Sequence, residues 1–142
     1  LARILAPLRW LTVAAPAYLA RFGTPQTIDE LKDHHCLTVR NLRTGRMVDW
    51  QFMIDGKVQD VSVEGRLIFD IGDAMVDGAV GGFGIAQVMD FAVRDDLATG
   101  RLVPVLETVA GRSRGISLVY PPSRQYSPKL MAFAEALATA RW

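Results

Sequence analysis

The chain holds a single cysteine, Cys36, and two histidines, His34 and His35, and the three are adjacent. A lone cysteine excludes an internal disulfide and suits a reducing compartment. It also leaves no second His/Cys cluster to complete four ligands around a zinc ion, and adjacent ligands on a helix end or a strand point in different directions. The pair of histidines is read instead as a helix end, where an imidazole favours the negative pole of the dipole. No serine sits in a Gly-x-Ser-x-Gly elbow, and a Cys–His or Ser–His pair has only these three residues to draw on. No residue is therefore assigned a catalytic role, and no metal or cofactor is expected. An excess of one charge is lacking as well. The 142 residues carry a net charge of +1, too little to argue for nucleic acid or a membrane surface. No uncharged run approaches the ~18 residues that span a bilayer, and Asp77 and Asp90 bracket the longest. A basic, apolar, small-residue leader is missing too; the chain starts at Leu1, without methionine, inside an apolar segment, and is read as a fragment.

What is present is organised around Val61–Phe91, read as strand, helix, glycine turn, strand. Val61, Val63 and Gly65 alternate with polar neighbours, whereas Leu67, Ile68 and Phe69 lose the alternation, as a strand covered on both faces does. Asp70 is expected to cap a helix whose apolar side is Ala74, Met75, Val76, Ala79 and Val80, with Asp73 in its first turn. Gly81-Gly82 ends it, and Phe83-Gly84-Ile85-Ala86 follows as a short buried strand. Gly82-Phe83-Gly84 resembles a dinucleotide fingerprint only in spelling. Those glycines leave a strand and open a helix, while these leave a helix and open a strand.

Earlier in the chain, Leu8–Ala14 reads as a buried strand, Pro16 opens a helix closed by Gly23, and Thr27 with Glu30 forms a capping box for a helix to His34. His35–Val39 is a strand. Val48–Ile54 and Lys57–Phe69 are strands joined by Asp55-Gly56, a hairpin turn in which both residues want a positive φ. Later, Asp90–Thr99 is a helix stopped by Gly100. Leu102–Leu106, containing Pro104, is an edge or crossing strand. Ile116–Tyr120 is a buried strand, and Ser127-Pro128 opens a last helix to about Arg141, with Leu130, Phe133, Ala134 and Leu137 on one face. Arg112 and Arg114, beside Gly111 and Gly115, read as an exposed basic loop, with an anion site as the alternative, and Trp10 and Trp50 are read as core. The alternation of strands and helices with one hairpin gives an α/β fold with a mixed sheet. Two strands bracket a compact middle as hinges bracket an inserted lobe.

APLRWLTVAAPAYLARFGTPQTIDELKDHHCL resembles the segment of LysR-type transcriptional regulators that crosses from the first to the second lobe of their effector-binding domain. IFDIGDAMVDGAVGGFGIAQV is similar to that family's helix and following glycine-rich strand, GRLVPVLE to its return crossing, and SLVYPPSRQYSPKLMAFAEAL to its closing strand and C-terminal helix. Each motif is short, but the series runs in order over nearly the whole chain.

The resemblance implies a periplasmic-binding-protein-like (type 2) two-lobed fold with a mixed sheet. Residues 15–100 would form a complete second lobe, and 1–14 with 101–142 the crossing strands and a partial first lobe. It implies the effector-sensing part of a cytoplasmic bacterial regulator that is not an enzyme. Such a domain holds a small molecule between lobes, and reaches DNA only through a winged helix-turn-helix domain outside this chain. A transporter's solute-binding component and an enzyme such as a dehydratase share the scaffold and are the alternatives. The implied ligand wall is Ala14, Ala15, Phe69, Asp70, Ile71, Gly72, Phe83 and Gly84. Ala15 stands where the family usually has serine, which makes the wall more apolar. The helix N-terminus near Asp70 would favour an organic acid. With the opening part of lobe one missing, the segment after Gly100 is expected to cover its apolar face by self-association, as a homodimer or higher assembly.

Overall fold

The computed structural model describes residues 2–112, 115–124 and 127–140. They divide into a larger unit, Arg9–Arg112, and a smaller one made of the described residues on either side of it.

Among the described residues ten strands and four α-helices run in chain order. They are β1 (Ala2–Ala6), β2 (Arg9–Ala14), α1 (Pro16–Phe22), β3 (Cys36–Val39), β4 (Trp50–Ile54), β5 (Lys57–Val61), β6 (Gly65–Phe69) and α2 (Gly72–Val80), followed by β7 (Ile85–Met89), α3 (Arg94–Ala98), β8 (Val103–Val105), β9 (Gly111–Arg112), β10 (Ile116–Val119) and α4 (Pro128–Ala138). The larger unit is built on a six-stranded sheet in the order β6-β3-β7-β2-β8, with β9 also paired to β2. β6, β3 and β7 are parallel, and β2 runs antiparallel to β7, β8 and β9. Thus β2 and β8, expected as crossing strands, hydrogen-bond into this sheet, and the unit extends past residues 15–100 at both ends.

The apolar runs of β2, β3 and β7 are buried because the sheet is covered on both faces. On one face Leu11, Val13, Leu37, Ala86 and Val88 pack under Met75 and Ala79 of α2. On the other, Ala14, Cys36 and Ile85 pack under Tyr18, Leu31 and the hairpin residues Trp50 and Phe52. The hairpin turns at Asp55 (φ 51°) and Gly56 (φ 73°), both left-handed as the Asp-Gly pair requires. α2 ends as its glycines predict. Gly82 takes φ 80°, its N–H donates to Ala79 O at 3.0 Å, and Phe83 N–H donates to Gly78 O at 3.1 Å, the paired bonds of a Schellman closure.

Several expectations fail for identifiable reasons. Lys57–Phe69 is two strands, because β5 pairs only with β4 while β6 joins the central sheet across a break at Ser62–Glu64. β6 is an edge strand, so Leu67 and Ile68 are 41% and 53% exposed rather than covered on both faces. Asp70 does not cap α2. The N-cap is Ile71, and the Asp70 carboxylate accepts from Arg40 instead, at 2.8 and 3.1 Å. Residues Ile28–Asp33 wind as a 3-10 helix without a Thr27 side-chain cap; Glu30 accepts from Gln26 N–H at 2.9 Å. Phe83 lies in the turn, 62% exposed, and the strand starts at Ile85.

In the smaller unit β1, not anticipated as a strand, pairs antiparallel with β10. β10 alternates half-buried and exposed residues instead of being covered on both faces. On α4, Ala134 is buried and Leu130 and Leu137 half-buried, but Phe133 is 55% exposed. Arg114 and the expected helix end at Arg141 lie outside the described residues.

Candidate functional site

Strand register separates the eight expected ligand-wall residues into two groups. Val13 pairs with Ala86, and Cys36 with both Ile85 and Gly65, so Ala14, Ala15 and Gly84 sit at the sheet end where β3, β6 and β7 begin, with Phe83 in the preceding turn. Phe69 pairs with Val39 at the other end, and Asp70, Ile71 and Gly72 follow it into α2. From Cys36 to Val39 the two ends are about 10 Å apart along the strand. The structure therefore does not bring these eight residues to one surface. The reason is that β2 runs against β3 and β7, so its C-terminal end, Ala14-Ala15, lies where theirs begin.

A cavity of about 290 Å³ opens at the second end, where the parallel strands finish, the side on which open α/β sheets bind ligands. Its inner surface comes from Val39, Val88 and Met89 of the sheet and Met75 and Val76 of α2. Trp10, Trp50 and Phe91 add aromatic lining, and Asp49 and Asp73 are its charged residues. Of the eight expected residues only Gly72 lines it. The tryptophans, assigned to the core from sequence alone, line this cavity as well. The signal that pointed to them was weak, because an apolar ring beside Asp49 reads equally as core or as pocket.

Gln87 holds one wall in place. Its Oε1 accepts from Gln51 N–H at 2.7 Å, and its Nε2 donates to Gln51 O at 3.0 Å and to Thr12 Oγ1 at 3.4 Å. This side chain, 5% exposed, grips a backbone amide of β4 as a neighbouring strand would, and so carries Trp50 against the central sheet. Gly111 allows the close approach: a Cβ there would lie 2.5 Å from Gln51 O.

The His-His-Cys triplet serves structure. Tyr18, 2% exposed, accepts from His35 N–H at 3.0 Å and hydrogen-bonds His34 Nδ1 at 2.9 Å. The His35 ring packs on Phe22 at 4.7 Å. Among the described residues no three His, Cys, Asp or Glu side chains are placed to hold a metal. Burial, and then the charges of Arg66, Arg21 and His34, push the His35 pKa below its ordinary value. The unfolded chain therefore takes up that proton first. Stability from His35 is complete above about pH 6.5 and is lost as pH falls below it. Urea midpoints measured at pH 7.5 and pH 5 are expected to fall on acidification, and to fall less in His35→Gln. An equal slope in the variant would assign the loss to other groups.

Burial pushes the Cys36 thiol up to about 12. Since the thiolate is the nucleophile, native protein at pH 8 is expected to resist iodoacetamide, and urea-unfolded protein to react at one site, as mass spectrometry can count. Rapid labelling of the native chain would show that this strand opens.

The family model for the LysR substrate binding domain matches residues 1–142. A Pseudomonas aeruginosa protein is 36% identical over 135 residues, which is 95% of this chain and 44% of that protein. The HTH-type transcriptional regulator CrgA of Neisseria meningitidis is 30% identical over 137 residues, 96% of this chain and 45% of CrgA. The solved structure of CrgA, a LysR-type transcriptional regulator, superposes with a TM-score of 0.76 at 27% identity, over 97% of this chain and 46% of that one. The chain thus spans about 45% of the length of these relatives. The mixed α/β architecture is the periplasmic-binding-protein-like type 2 fold, and with a family match along its whole length the chain belongs to the LysR substrate-binding domain family.

Proposed function

We propose that this chain is the effector-sensing part of a bacterial LysR-type regulator, and that it holds a small molecule in the cavity at the N-terminus of α2. Closure on that ligand is relayed to a DNA-binding domain elsewhere in the parent protein, which works as a dimer in the cytoplasm. The cavity carries the reading: it lies within a domain of the matched family and opens at the strand ends where α/β folds take ligands. Of the eight residues expected from sequence, this reading keeps Gly72 in the ligand wall, with Phe69, Asp70 and Ile71 just before it in the chain, and gives Ala14, Ala15, Phe83 and Gly84 no part in it. The matched relatives with a stated role are transcriptional regulators, which speaks against the transporter and enzyme alternatives. No helix among the described residues is long and apolar enough to cross a membrane.

The organic acid expected from sequence rested on free N–H groups at the start of α2. That helix carries Asp73 in its own first turn, and the neighbouring Arg40 is engaged by Asp70. A thermal-shift screen against a metabolite panel is expected to give ligands whose stabilisation disappears in Val76→Trp, which fills the cavity. Ligands that stabilise the variant equally would put the effector elsewhere.

A further inference from the structure

We propose that the cavity selects an organic cation: an amine on an aromatic or aliphatic body that also offers a hydrogen-bond acceptor. This rests on the reading of the cavity as the effector site. Among the described residues no lysine, arginine or histidine lines it, and its charged residues are Asp49 and Asp73. These come from different elements, the segment before β4 and the first turn of α2, and both line the same space. Among the described residues neither carboxylate has an ion-pair partner; Arg40 pairs instead with Asp70 at 2.8 Å and Arg9 with Asp90 at 3.9 Å. The positive pole of α2 opposes a cation, but Asp73 sits on that pole and offsets it.

The walls point the same way. Trp10, Trp50 and Phe91 line the cavity, and aromatic rings attract a cation through their quadrupole and accept an apolar body equally well. Trp50 is 3% exposed, yet no described protein group accepts its indole N–H. No sealed nitrogen among the described residues lacks a partner, so this donor is reachable from outside. A reachable donor on a residue that lines the cavity suits an acceptor on the ligand.

The experiment uses a matched series of 4-hydroxyphenethylamine, 3-(4-hydroxyphenyl)propanoate and 3-(4-hydroxyphenyl)propan-1-ol, titrated into the chain and followed by isothermal calorimetry. The amine is expected to bind about tenfold more tightly than the acid, in line with two solvent-facing carboxylates. The double variant Asp49→Asn/Asp73→Asn is expected to retain its Tm and to bring amine and acid to similar affinity. An acid that binds as tightly as the amine in the unsubstituted protein overturns the charge assignment alone, provided Val76→Trp still abolishes binding. A series in which no member binds, or in which binding survives Val76→Trp, overturns the reading of the cavity as well.

Discussion

Phe52→Ala is expected to lower the stability of the larger unit by about 4 kcal/mol, the usual range for a buried phenylalanine truncated to alanine. Phe52 is 0% exposed and lies in the cluster that joins the β4–β5 hairpin to the sheet, with Tyr18, Leu31, Cys36 and Ile85. Its ring stands 6.5 Å from that of Trp50, so the vacated space adjoins the cavity wall. Domains of this size are stable by roughly 5–15 kcal/mol, so a quarter or more of the total is at stake. Urea unfolding followed by tryptophan fluorescence measures it. A loss below about 1 kcal/mol would mean that the hairpin is not docked as described.

Gly84→Ala is expected to destabilise by about 3 kcal/mol, near the top of the range for overpacking. β7 begins against the end of the segment before β3, with Ile85 N–H donating to His35 O at 2.8 Å. A Cβ at position 84 would overlap the His35 carbonyl, a backbone group pinned by that hydrogen bond. Gly72→Ala is the contrasting case. Nothing lies within 4 Å of its Cβ position and its φ is not left-handed. That change is expected to be neutral or slightly stabilising, through the reduced freedom of the unfolded chain. Equal effects at the two positions would contradict the packing of β7 on β3.

Much of this fold was legible because its local signals act alone. Asp55-Gly56 needs no tertiary partner to turn, and Gly81-Gly82 closes α2 through bonds within seven residues. The failures share a different cause. Periodicity tells which residues want burial but not where a strand stands in its sheet, so Leu67 and Ile68 looked doubly covered although β6 is an edge. Asp70 had the right type for a cap, but an arginine thirty residues away, Arg40, competed for it. The candidate site was the least legible part. Whether Ala15 and Gly72 share a surface depends on the direction of β2 relative to β3 and β7, and direction is set by long-range pairing that no short motif reports.

Gln87 and Thr12, hydrogen-bonded across neighbouring strands, are 75 residues apart in the chain. On the ribosome this distance becomes time. At about 5–20 residues per second, β2 waits roughly 4 to 15 seconds for β7 to emerge, whereas a hairpin such as β4–β5 closes in about 1–10 μs. For those seconds a strand destined for the sheet interior, with Val13 and Ala14 at 0% exposure in the finished domain, has both edges open beside neighbouring nascent chains. Synonymous codons that slow translation between Val39 and Ile85 will lengthen this window and lower soluble yield without altering a single residue.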